Sequence, residues 1–149
     1  MVIDASVLLR AFFPDEQQMQ AQALVRDFVT GQLGLLAPSL LPYEITNAVW
    51  QAIRRSRLTT VQGEAILTAF TDLHIPLATV GWQQVLFLAR QFNCSAYDAA
   101  YLGLAQISGQ SLITADERLY NAVQPHLSWI HWLGDYQAGT FTNGETTTE

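Results

Sequence analysis

The chain has 149 residues, 50% of them hydrophobic and 13% charged, with 7 basic against 13 acidic side chains and a formal net charge of −6. That composition excludes extended disorder, and a chain of this length buries roughly 70% of its unfolded surface on folding without needing a disulfide or metal. The acidic balance argues against a broad basic face for nucleic acid, and all seven basic residues are arginines, which excludes P-loop, Schiff-base, protein-kinase and other lysine-dependent chemistry.

In chain order, Met1 to Asp4 reads as a short buried strand and Val7 to Phe13 as a helix that Pro14 ends. The spacing of Met19, Ala23, Leu24 and Phe28 predicts a second helix from about Asp15 to Thr30, closed by Gly31 and Gly34. After a short strand at Leu35 to Ala37, Pro38 and Pro42 lead into the clearest helix, on which Ile45, Ala48, Val49, Ala52 and Ile53 share one face. Its far end carries Arg54, Arg55 and Arg57. Thr59 with Gln62 forms a capping-box pattern for the next helix, and Ile75 to Val80 reads as an edge strand or strand entry because of Pro76. Gly81 opens a helix ending near Asn93, Ser95 opens another ending at Gly109, Ser111 to Thr114 is a strand, Glu117 to Val123 a helix, and Leu127 to Leu133 a final strand. The stretch from Gly134 to Glu149 is rich in Gly, Thr and acid and is expected to be largely disordered. One domain over 1–133 and a polar tail over 134–149 is the organisation this predicts.

Strands alternating with helices predict an α/β sandwich with a mainly parallel central sheet. No apolar run approaches the ~20 residues of a membrane span, the chain leads straight into a strand, and Cys94 is alone, so a reducing, cytoplasmic location is expected. In parallel sheets, ligands gather outside the carboxyl ends of the strands. Asp4, Glu44, Asp98 and Asp116 all fall at such positions, in or just before the first turn of a helix. Singly, each reads as a cap or a partner of the helix dipole. Together, they would repel one another and raise one another's pKa values unless a cation neutralised them. Oxygen ligands without His or Cys suit Mg²⁺ or Mn²⁺, and one or two such ions would serve phosphodiester hydrolysis. Ser6, Thr114 and Asn47 are placed either to cap locally or to orient these acids.

The segments Val2-Ile3-Asp4-Ala5-Ser6, Pro42-Tyr43-Glu44-Ile45-Thr46-Asn47, Ser95-Ala96-Tyr97-Asp98-Ala99-Ala100-Tyr101-Leu102 and Leu112-Ile113-Thr114-Ala115-Asp116 resemble the motifs of PIN-domain nucleases. More narrowly, they resemble VapC-type toxins of toxin-antitoxin pairs, over about residues 1 to 133. The resemblance implies a three-layer α/β/α sandwich around a parallel sheet of about five strands, a Mg²⁺- or Mn²⁺-dependent endoribonuclease, an RNA substrate, a cognate antitoxin and often a homodimer. It also implies that Asp4, Glu44, Asp98 and Asp116 bind metal directly or through water, supported by Ser6 and Thr114, and that a metal-activated water attacks the RNA phosphate in line.

Other residues give weaker signals. His74, His126 and His131 lack zinc-like spacing, and Cys94 lacks a partnering His. Arg54, Arg55 and Arg57 read either as a solvated helix end or as a local steering patch for RNA. A phosphoaspartyl hydrolase of the haloacid-dehalogenase type is excluded by Ser6, where that chemistry needs a second acid, and by the missing lysine. The alternative that remains is a PIN-like module that binds RNA or protein without cleaving.

Overall fold

The computed structural model describes residues 1–141. The strands are β1 (Val2–Ile3), β2 (Ala37–Pro38), β3 (Leu77–Ala78), β4 (Leu112–Thr114) and β5 (Ile130–Trp132). Between them run α1 (Ala5–Phe12), α2 (Met19–Val29), α3 (Leu41–Arg54), α4 (Thr60–Asp72), α5 (Trp82–Phe92), α6 (Ala96–Ser108) and α7 (Glu117–Val123). β1, β4 and β5 pair in parallel, as do β2 and β3. A parallel bridge between Val2 and Leu36 joins the two groups, with Leu36 N donating to Met1 O at 3.0 Å and Ile3 N donating to Leu36 O at 3.0 Å. The resulting order is β3-β2-β1-β4-β5, so the expected parallel sheet of about five strands and the three-layer α/β architecture are borne out.

The sheet core explains the apolar runs. Val2, Ile3, Leu112 and Ile113 are wholly buried, as strands covered on both faces must be. On α6, every residue from Ala99 to Ala105 is buried, and the small Ala and Gly side chains let this helix lie close against β1, β2 and α5. A smaller cluster of Phe13, Val49, Ala52, Leu58 and Ile66 ties α3 to α4. Local signals are realised where the partners are close in sequence. Thr59 and Gln62 form both halves of their capping box, Asn93 takes the left-handed conformation at φ 49°, and Ser95 Oγ accepts from Asp98 N at 3.0 Å.

Three expectations need correction. Helix α2 starts at Met19 rather than near Asp15, because the segment after Pro14 turns instead: Glu16 N donates to Phe13 O and Gln18 N to Arg10 O. Arg57 holds that turn, pairing with Asp15 at 2.8 Å and Glu16 at 2.7 Å while its guanidinium sits over the Phe13 ring. It is therefore a structural tie and not part of a free steering patch. Strands β3 and β5 are also shorter than expected; Pro76 has no N–H to give, and its carbonyl instead accepts from Ala37 N at 3.0 Å.

The third correction concerns the tail. Residues 134–141 are folded onto the domain, and the remainder of the expected tail lies outside the described residues. Tyr136 is buried, and its hydroxyl donates to Asp27 Oδ2 at 2.7 Å, while Gly139 N donates to the same oxygen at 3.1 Å. Phe141 stacks on Tyr136 with ring centroids 5.8 Å apart. Composition concealed this, since two aromatic anchors suffice to order a stretch otherwise rich in Gly and Thr. Burial and the Asp27 charge push the Tyr136 hydroxyl up, so it stays a donor. Among the described residues, removing that donor in Tyr136→Phe leaves the buried Asp27 side chain with only the Gly139 N–H, and stability should fall by about 1–3 kcal/mol. Urea titration should show a lower midpoint at unchanged slope; an unchanged midpoint would contradict the clasp.

Candidate functional site

The carboxyl ends of the strands open into a cleft of about 500 Å³ lined by Asp4, Glu44, Asp98 and Asp116 together with Ser6 and Asn47. Four separate helix starts thus bring to one place the acids that their positions in the sequence single out. Asp4 is the most buried of them, 6% exposed. Its backbone occupies the N-cap position of α1, yet its side chain makes no capping hydrogen bond. Instead Asp4 Oδ2 accepts from Ser6 Oγ at 2.5 Å and from Thr114 Oγ1 at 2.7 Å.

Those two hydroxyls are themselves oriented by the turn after β4. Ser6 Oγ accepts from Ala115 N at 2.9 Å, and Thr114 Oγ1 accepts from Asp116 N at 3.0 Å. Because each hydroxyl has a single proton and an N–H already occupies its acceptor side, that proton is directed to Asp4. Capping accounts for Asp116 only in part: one oxygen accepts from Leu119 N at 3.1 Å, while the residue also faces the cleft. Asp98 leaves its cap to Ser95, and its Oδ2 accepts from Arg118 Nη2 at 3.2 Å.

Glu44, in the first turn of α3, is the least satisfied. Glu44 Oε1 is buried without a hydrogen-bond partner, and the only other such side-chain atom among the described residues is the Tyr101 hydroxyl. Tyr101, on α6 one turn beyond Asp98, is 1% exposed and interacts with the Glu44 carboxyl without forming a hydrogen bond of normal geometry. Sequence reasoning missed Tyr101 and Arg118 as members of the site. The available signals were a polar-tipped ring within an Ala- and Leu-rich helix and a cation two residues after Asp116.

The electrostatics follow from burial and like charge. Burial pushes Asp4 up, the Ser6 and Thr114 hydrogen bonds oppose this, and the charges of Asp98 and Asp116 add to it. Burial, then Asp4 and Asp98, push Glu44 up to about 7. Burial and the nearby acids also push the Tyr101 hydroxyl up, so it remains protonated. The Cys94 thiol is pushed up by burial and by Asp98, the opposite of what a nucleophile needs.

As a donor set, carboxylate oxygens with one orphaned, buried oxygen fit a hard divalent cation, which would relieve the repulsion that raises these acids. No three His, Cys, Asp or Glu side chains among the described residues stand close enough to enclose one ion. An open arrangement of this kind suits Mg²⁺, which commonly takes one or two carboxylates and keeps several waters.

The comparisons with known proteins agree with this geometry. The PIN domain family matches residues 1–124. Ribonuclease VapC3 of Pyrobaculum aerophilum is 30% identical over 123 residues, covering 80% of this chain and 91% of that protein. Ribonuclease VapC9 of Mycobacterium tuberculosis is 33% identical over 125 residues, 83% of this chain and 91% of that protein. In fold, the chain is similar to the crystal structure of PAE2754 from Pyrobaculum aerophilum, with a TM-score of 0.68 at 23% identity over 89% of this chain and 90% of that one. Motif order, parallel topology and a cleft built from the four motif acids therefore meet in one conclusion: the chain belongs to the PIN-domain family and is of the VapC type.

Proposed function

We propose that the protein is a Mg²⁺- or Mn²⁺-dependent endoribonuclease, the toxin of a toxin-antitoxin pair, acting in the cytoplasm as a homodimer and restrained by a cognate antitoxin. The observation that carries the catalytic part is the convergence of Asp4, Glu44, Asp98 and Asp116 on one cleft with a buried Glu44 oxygen left unpartnered. The ribonuclease names of its relatives support RNA as the substrate.

In this reading the four acids hold the ion or ions directly or through water, and Ser6, Thr114 and Asn47 support them. When bound, Mg²⁺ or Mn²⁺ supplies charge that activates water and offsets the negative charge building on the scissile phosphate. Ser6 and Thr114 fix one Asp4 oxygen, Oδ2, and leave Oδ1 available to the site. Tyr101, kept protonated, can donate its hydroxyl hydrogen to the ionised Glu44 carboxylate. Arg118 pairs with Asp98 at 3.2 Å at the edge of the cleft. The acids repel an RNA phosphate until a cation is present, so substrate binding itself is coupled to the metal.

The decisive experiment incubates the protein with total bacterial RNA, with and without Mn²⁺, beside an Asp98→Asn control, and maps new 5′ ends. Metal-dependent cuts at defined sites should fall by ~10²-fold or more in the variant, by analogy with the loss of one electrostatic group from an active site. Equal cutting by both proteins, or none by either, would favour a non-cleaving binding module.

Stability supplies a test without substrate. Glu44, pushed up to about 7, contributes most to stability below about pH 4.5 and loses that contribution as pH rises through about 7, and Asp4, also pushed up, acts in the same direction. Calorimetry on metal-free protein should show that loss. Added Mg²⁺ or Mn²⁺ should raise the Tm more at pH 8 than at pH 5, and an increment independent of pH would count against these acids as ligands.

Arg118 competes with metal for Asp98 across an exposed pair, with its side chain 75% exposed. Arg118→Gln should therefore tighten Mn²⁺ binding by about two- to fivefold, as read by calorimetric titration. Weaker binding would show that Arg118 assists the metal instead.

A further inference from the structure

Two aromatic rings stand open at the mouth of the acidic cleft. Tyr43 is 79% exposed and Tyr97 67% exposed, and both line the cleft. Each lies one residue ahead of an acid in the first turn of a helix, Tyr43 before Glu44 on α3 and Tyr97 before Asp98 on α6. Neither is among the ring–ring or cation–ring contacts of the described residues. Internal packing therefore does not account for them.

Charge sharpens the question. With a net charge of −6, the protein offers an RNA backbone little attraction. Several arginines are already engaged: Arg57 by Asp15 and Glu16, Arg118 by Asp98, and Arg54 over the Trp50 ring. Uncharged contacts are then a ready source of affinity for RNA beyond the scissile phosphate. Base–aromatic stacking is such a contact, tolerant of sequence because every base has a π-face. Bases within an A-form duplex are already stacked on one another and do not offer those faces.

Building on the endoribonuclease reading, we propose that Tyr43 and Tyr97 are stacking platforms for unpaired nucleobases next to the scissile phosphate. Their position beside the acids favours RNA over a protein ligand, since a base stacked there brings its own phosphate to the cleft.

The test uses single-stranded oligoribonucleotides carrying 2-aminopurine, mixed with the full chain in Mn²⁺ and read by stopped-flow fluorescence before cleavage. Stacking should quench the probe. Tyr43→Ala and Tyr97→Ala should each weaken binding by about tenfold, raising KM with kcat retained, and Tyr43→Phe and Tyr97→Phe should restore binding. Tm and the Mn²⁺-induced rise in Tm should stay at wild-type values, which separates stacking from damage to the fold or the metal site. A fully paired duplex of the same sequence should bind weakly and respond to neither substitution. Absence of quenching, or unchanged affinity in both Ala variants, would overturn the proposal. So would retained RNA affinity together with loss of a co-expressed protein partner, which would mark a protein-docking surface. The quenching measurement does not depend on cleavage, so an inactive wild-type protein would defeat the nuclease reading separately.

Discussion

Everything at the cleft depends on how one carboxylate is kept below the surface. Asp4 Oδ2 is shared by Ser6 and Thr114, and the two hydroxyls take their orientation from consecutive backbone N–H groups of Ala115 and Asp116. The start of α1 is thereby bolted to the turn between β4 and α7. The same contacts that keep Asp4 in place also aim Asp116, because its N–H is one of the donors. A buried acid without such partners would be driven neutral or would pull water inward. Here hydrogen bonding opposes desolvation, leaving a group that is raised but firmly placed.

The second constraint is like charge. Four acids lining one cleft form an unfavourable arrangement that the metal-free fold only partly relieves, through the Arg118 contact to Asp98 and the raised Glu44. Glu44 and Tyr101 illustrate the remainder: two buried polar atoms face a common region and neither is satisfied. Natural interiors seldom tolerate such groups except where function needs them. That tension between the folded chain and its own acids is the strongest physical support for a cationic ligand.

Much of this site is legible in the amino-acid sequence, for a physical reason. The acids sit at helix starts, and helix starts announce themselves locally, through Pro42 before Glu44, Ser95 before Asp98 and an apolar strand before Asp4. Parallel topology then does the rest, since it gathers the carboxyl ends of strands at one edge. What the sequence conceals is tertiary. The turn before α2 is set by Arg57, 42 positions from Asp15. Arg118 reaches back 20 positions to Asp98. The segment after Leu133 reads as unstructured because Gly and Thr dominate it, while its ordering depends on Tyr136 finding Asp27.

The bond between Thr114 and Asp4 spans 110 positions, and that between Tyr136 and Asp27 spans 109. A chain emerging from the ribosome presents Asp4 and Glu44 early, but Thr114, which leads into the β4–α7 turn that positions Asp4, arrives only 110 positions after it. Until then the acids are attached to a chain that lacks its central strand pairing, and the cleft has no fixed shape. Synthesis therefore proceeds with the four-acid site unassembled, and the topology itself ties any chemistry at the cleft to the pairing of β1 with β4.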